Sequence, residues 1–201
     1  MIRWLHISDL HFKPGLDSDS DQSTMQRALL NDCRIHKIQA DFVVATGDFH
    51  NFWDKKDYKT AVSFLQRLSK ELQLDLEKDF FLVPGNHDVN DDLYPSDRNG
   101  SIAELLQETP PTEKGNPESE PDLAQAMSNS RTTISDLLKA FGDYSAMAKE
   151  LLGNAYIGKE YRPEDVHVRT WRDKINLFHL NTALLSNGDR SHPGRHLCRL
   201  W

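Results

Sequence analysis

Three times within its first half the chain runs through a short apolar stretch of β character and stops abruptly at side chains able to hold a cation. The first run, Ile2-Arg3-Trp4-Leu5-His6-Ile7, leads to Asp9 and His11. The second, Val43-Val44-Ala45-Thr46, leads to Gly47 and Asp48, and the third, Phe81-Leu82-Val83-Pro84, leads to Gly85-Asn86-His87-Asp88. A lone Asp-x-His triplet carries little weight, because such triplets arise readily in solvated loops. Three strand-then-ligand stretches in series restrict the fold far more.

The segments between them have helical periods. Met25, Ala28, Leu29, Asp32, Cys33, His36 and Ile38 trace one helix, with Ser23 or Asp21 as its N-cap, and Tyr58, Ala61, Phe64, Leu65, Leu68 and Leu72 trace a second. Strand, helix, strand, helix, strand predicts an α/β fold with a parallel sheet joined by right-handed crossovers. Ligands of such sheets bind at the carboxyl ends of the strands. All three motifs end there, so topology alone gathers Asp9, His11, Asp48, Asn86 and His87.

Beyond Asp88 the pattern breaks. Residues 89–130 form an acidic insertion expected to be flexible, either a lid over the site or a segment without a role. Order resumes with a helix of about five turns through Ile134, Leu138, Phe141, Tyr144, Ala148 and Leu152, capped near Thr132 or Thr133. Val166–Trp171 and Ile175–Asn181, separated by Arg172-Asp173-Lys174, read as an antiparallel ladder opening a second sheet. His36, His167 and His179 read as ordinary histidines rather than ligands.

With 201 residues, one domain spanning 1–201 is expected. The net charge of −7 opposes a generally basic surface, so nucleic acid is not the favoured partner. Cys33 and Cys198 are distant and unpaired in pattern, which excludes a disulfide framework or zinc ribbon. No run approaches a membrane span and no secretory signal opens the chain, so a cytoplasmic protein without membrane partner is expected. Oligomeric state is left open.

Carboxylates, an imidazole and an asparagine carbonyl make a mixed oxygen and nitrogen set. It suits Mn²⁺, Fe or Zn²⁺ better than the oxygen shell of Ca²⁺ or the thiolates of structural zinc. Asp48, on the central motif, is the natural bridge between two ions, and such a pair, about 3.5–4 Å apart, can clamp a phosphoester and activate water. His87 is placed to protonate a leaving alkoxide, with Asp88 orienting its ring or raising its pKa.

The series Asp9-x-His11, Gly47-Asp48 and Gly85-Asn86-His87-Asp88 resembles the calcineurin-like metallophosphoesterase superfamily. That resemblance implies a four-layer α/β/β/α sandwich and a site of two divalent ions. Asp9 and His11 would bind the first, Asp48 would bridge and Asn86 would bind the second. His87 and Asp88 would be the catalytic acid pair, and Asn51 would lie near the phosphate. Members complete the site with a further histidine and a Gly-His-x-His block, whereas this sequence contains no Gly-His dipeptide. His192 and His196 have a different spacing and are poor substitutes. The chain therefore resembles an N-terminal portion, truncated at its C-terminus, with an incomplete second sheet and a weakened second metal. The function implied is metal-dependent hydrolysis of a phosphomonoester or phosphodiester. The alternatives are a catalytically impaired interaction domain of the same fold and a phosphodiesterase of the nuclease branch.

Overall fold

A computed structural model of the protein describes residues 1–12, 21–51, 57–90, 138–155, 167–181 and 183. Its elements in chain order are β1 (Trp4–Ile7), α1 (Asp21–Ile35), β2 (Phe42–Thr46), α2 (Lys59–Leu72), α3 (Leu76–Asp79) and β3 (Phe80–Val83). A 3-10 turn at Asn86–Asp88 follows, then α4 (Gly142–Leu152), β4 (His167–Trp171) and β5 (Ile175–His179).

The three predicted strands form one parallel sheet in the order β1-β2-β3, with Trp4 opposite Phe42 and Val44 opposite Phe81. Both crossovers step the same way across the sheet, so right-handedness sends α1 and α2 to one face. The strand period of two then sorts the side chains. Ile7, Val43, Ala45, Phe80 and Leu82 pack with Phe64, Leu65 and Leu68 of α2 and with Met147 and Leu151 of α4. Phe42, Val44 and Phe81 point the other way and meet Trp171, Ile175 and Leu177 of the β4–β5 pair. The described layers are thus helices, a parallel sheet and an antiparallel pair whose register runs from His167–His179 to Trp171–Ile175.

Polar contacts fasten that pair. The Arg169 guanidinium lies 4.4 Å over the Phe81 ring and donates to the carbonyls of Phe80 and Glu77 at 2.7 Å each. Trp171 Nε1 donates to the buried Asp79 carboxylate at 3.0 Å, and Arg172 approaches it at 3.5 Å. An apolar contact over so few residues slides easily, and these directional bonds give it one register.

Two helices differ from expectation. Helix α1 already begins at Asp21, so neither Ser23 nor Asp21 stands before it as a cap. The long helix expected from Ile134 is interrupted: Ala140 and Phe141 form a turn and α4 starts at Gly142, while residues 131–137 lie outside the described set. The Ala140 carbonyl accepts from the Asn90 backbone N–H at 2.7 Å, and Asn90 Nδ2 donates to Asp143 at 2.8 Å. A carbonyl diverted to another segment, next to a glycine of low helix propensity, ends one helical run and begins the next. Val89 is consequently fully buried beside Ala140 and Phe141, and the rest of the acidic insertion lies outside the described residues.

Candidate metal centre

Two of the three expected ligand segments leave their strands through an unusual backbone conformation. Asp9 and His11 after β1 have φ of 56° and 46°, and Gly47 and Asp48 after β2 have φ of 87° and 53°. Left-handed conformations cost a non-glycine residue about 1–3 kcal/mol each and persist only where the surroundings enforce them. Here a ladder of backbone bonds does so. Asp9 N donates to Gly47 O, His11 N to Asp48 O at 2.8 Å, Phe12 N to Phe49 O at 2.7 Å and Asn51 N to Phe12 O. The two loops are thereby zipped together beyond the end of the sheet.

The third loop is pulled against them from beneath. His87 N donates to Asp48 Oδ1 at 2.9 Å, and a Cβ on Gly47 or Gly85 would overlap the other loop. Glycine is required at both positions for backbone to meet backbone. The result brings ligand atoms of His11, Asp48 and His87, from three separate strand ends, within 4.8 Å of one another. The His11 and His87 rings meet edge to face with centroids 4.7 Å apart. Asp9 stands at the margin, its carboxylate 3.9 Å from His11 Nε2 and braced by the Ser8 hydroxyl at 2.5 Å. Its side chain is 68% exposed against 35% for His11.

The cluster is partly buried and offers imidazole nitrogen from His11 and carboxylate oxygen from Asp48, donors suited to a first-row divalent ion, with the His87 imidazole close beside them. Ligand atoms on one ion at about 2.0–2.2 Å lie closer together than the present spacing, so loading requires only small side-chain adjustments. Asn86 opens the 3-10 turn beside this cluster, half-buried, and Asn51 is half-buried at the end of the ladder. His36 is exposed at the far end of α1, and His179 packs against the Phe81 ring. His192 and His196 lie outside the described residues.

Asp88 occupies a different position from its neighbour. Fully buried, its Oδ1 accepts from Phe49 N at 3.1 Å, His50 N at 3.2 Å and the Tyr58 hydroxyl at 3.1 Å, and its Oδ2 accepts from Gly85 N at 2.9 Å. Burial pushes its pKa up to about 6, against the lowering effect of the Gly85 and Tyr58 bonds. The Tyr58 hydroxyl is in turn driven well above the ordinary phenol range, by burial first and by Asp88 second. One carboxylate therefore ties the second loop, the third loop and the start of α2 together.

His50 and Tyr58 were not singled out by sequence reasoning. His50 is fully buried, its Nε2 accepting from Asp57 N at 3.1 Å, which leaves Nδ1 to donate to the Asn51 carbonyl at 2.6 Å. That arrangement selects the neutral Nδ1–H tautomer. The signal for Tyr58 was a phenol on an apolar helix face, where a buried hydroxyl needs a partner.

The chain matches the calcineurin-like phosphoesterase family over residues 2–200. It belongs to that family. The family is one of metal-dependent phosphoester hydrolases, which accords with the donor set at the ends of β1, β2 and β3. A curated relative, the uncharacterized metallophosphoesterase-like protein YydB of Bacillus subtilis (strain 168), is 28% identical over 194 residues. The alignment takes in 92% of this chain but 34% of YydB, so the chain spans about a third of that relative's length. No solved structure matches significantly. No helix among the described residues is long and apolar enough to cross a membrane.

Proposed function

We propose that this chain forms a phosphoesterase domain that hydrolyses a phosphomonoester or phosphodiester at a divalent metal centre. One observation carries the reading: His11, Asp48 and His87, far apart in sequence, converge within 4.8 Å at the carboxyl edge of the parallel sheet. In this reading Asp9, His11 and Asp48 hold one ion, and Asp48 and Asn86 reach toward a second. Mn²⁺, Fe or Zn²⁺ bound there supplies Lewis acidity and an acidified water. The chain's own contribution is placement. His87, whose backbone N–H is fixed on Asp48, protonates the leaving oxygen from beside the ions, and Asn51 contacts the phosphate. Asp88 supports both by anchoring the loops that carry them.

Hydrolysis of bis-p-nitrophenyl phosphate and p-nitrophenyl phosphate by the purified chain with Mn²⁺ tests this directly. Turnover that follows metal occupancy is expected. Full metal loading with no hydrolysis of either ester would replace this reading with that of a noncatalytic interaction domain, and failure to bind metal would remove the site itself.

A further inference from the structure

A groove rich in arginine lies away from the candidate metal centre, between α1 and α2. These helices border a surface groove of about 470 Å³ lined by Arg27 and Arg34 of α1 and Arg67 of α2, with Thr24, Asn31 and, among the described residues, a single carboxylate, Glu71. Three guanidinium groups in one concavity are unexpected in a chain of net charge −7. Among the described residues none of the three forms an ion pair. Arg27 donates to Thr24 Oγ1 at 3.3 Å and Arg34 to Asn31 Oδ1 at 2.6 Å, bonds that occupy one of the five N–H donors each guanidinium carries. Most of the donors along the groove are thus left to solvent or to a ligand.

We propose that this groove binds a linear chain of phosphates. The spacing selects an extended ligand. Arg27 and Arg34 are two helical turns apart, about 10 Å along the axis, and each guanidinium leans on the residue three positions before it, so the two heads stay apart and meet successive phosphates where a single phosphate would have to draw both out of place. Guanidinium is also the side chain that pairs with phosphate through two parallel bonds. Among the described residues no aromatic lines the groove, so the ligand is gripped by its backbone charge and not by stacked bases. An oligonucleotide backbone and inorganic polyphosphate share that chemistry. The proposal is independent of the catalytic reading, because its residues lie outside the metal centre.

The test uses the full chain with Mn²⁺ and a fluorescent, hydrolysis-resistant phosphorothioate oligothymidylate of about twelve nucleotides, with inorganic polyphosphate as competitor. Binding is expected at low salt, with a log–log salt slope of about −2, the value for three phosphate contacts on a single strand. The combined variant Arg27→Gln, Arg34→Gln, Arg67→Gln should bind about tenfold or more weakly and lose most of the slope. Glu71→Gln should tighten binding about two- to threefold by removing the one opposing charge. Circular dichroism and the thermal unfolding midpoint of both variants should match the parent's, which reports that they fold whether or not the chain is catalytic. Competition by polyphosphate, or its absence, assigns the source of the phosphates and supports the site either way. Equal affinity in parent and triple variant, weaker binding by Glu71→Gln, or no binding of either polymer by the parent would overturn the proposal.

Discussion

Asp48 shows how the backbone sets up the residue proposed as bridging ligand. Its left-handed φ of 53° turns the carboxylate out of the strand line, and the His87 N–H holds one oxygen at 2.9 Å. Asp48→Asn should remove both turnover and metal affinity. His87→Ala should abolish turnover while retaining the ion, as a proton donor beside the metal requires. Metal content by mass spectrometry, measured with hydrolysis rates, checks both, and loss of the ion in His87→Ala would recast that imidazole as a ligand. Gly85→Ala acts on the same carboxylate from behind, since its Cβ would overlap Asp48 Oδ1 and backbone N. The variant should lose about 1–3 kcal/mol of stability through the forced backbone shift, together with metal affinity. Denaturant unfolding and a metal titration read the two effects.

At the scale of elements, the caps and clamps are the places to intervene. Helix α2 ends on Gln73 in the left-handed conformation (φ 57°), its N–H bonded to Lys70 O at 3.2 Å. Glycine is the residue suited to that position, so Gln73→Gly should stabilise the protein by about 0.5–1 kcal/mol without altering activity. Thermal unfolding is the measurement, and a destabilised variant would show that the Gln73 side chain has a role of its own. On the opposite face, Trp171→Phe keeps the ring against Phe42 and Phe81 but deletes the bond to buried Asp79. A carboxylate left with less donation should cost about 1–3 kcal/mol. An unfolding midpoint equal to the parent's would mean that Arg172 and the Asp75 N–H suffice for Asp79.

For the whole molecule, the proposed centre draws on three loops that meet only when β1, β2 and β3 are paired, so metal binding there is expected to be linked to folding. Mn²⁺ at a hundredfold over its dissociation constant should add about 2.7 kcal/mol, raising the melting temperature by about 5–10 °C. A chelator should reverse the shift, and Asp48→Asn should show little of it. A melting temperature indifferent to Mn²⁺ in the parent would mean that the native fold does not preform the site.

Much of this architecture was readable before any coordinates. Apolar runs ending at Asp9, Asp48 and Asn86, separated by helical periods, determined a parallel sheet and sent the candidate ligand residues to one edge, because strand order and crossover handedness leave few alternatives. The Val166–Asn181 ladder was equally legible from alternation and a turn signal. Tertiary structure alone decided the rest. The break before Gly142 depends on Asn90, and the neutral tautomer of His50 depends on Asp57; neither partner leaves a periodic signal in the chain. Asp88 reads in sequence as the residue that orients the His87 ring, whereas in the structure it is a buried anchor of the loops, because burial and the convergence of four donors arise only when distant loops close on it. The arginine groove has the same origin. Hydrophobic pattern is local and survives in sequence, whereas a carboxylate's partners and a guanidinium's neighbours are set by which helices and loops come to lie side by side.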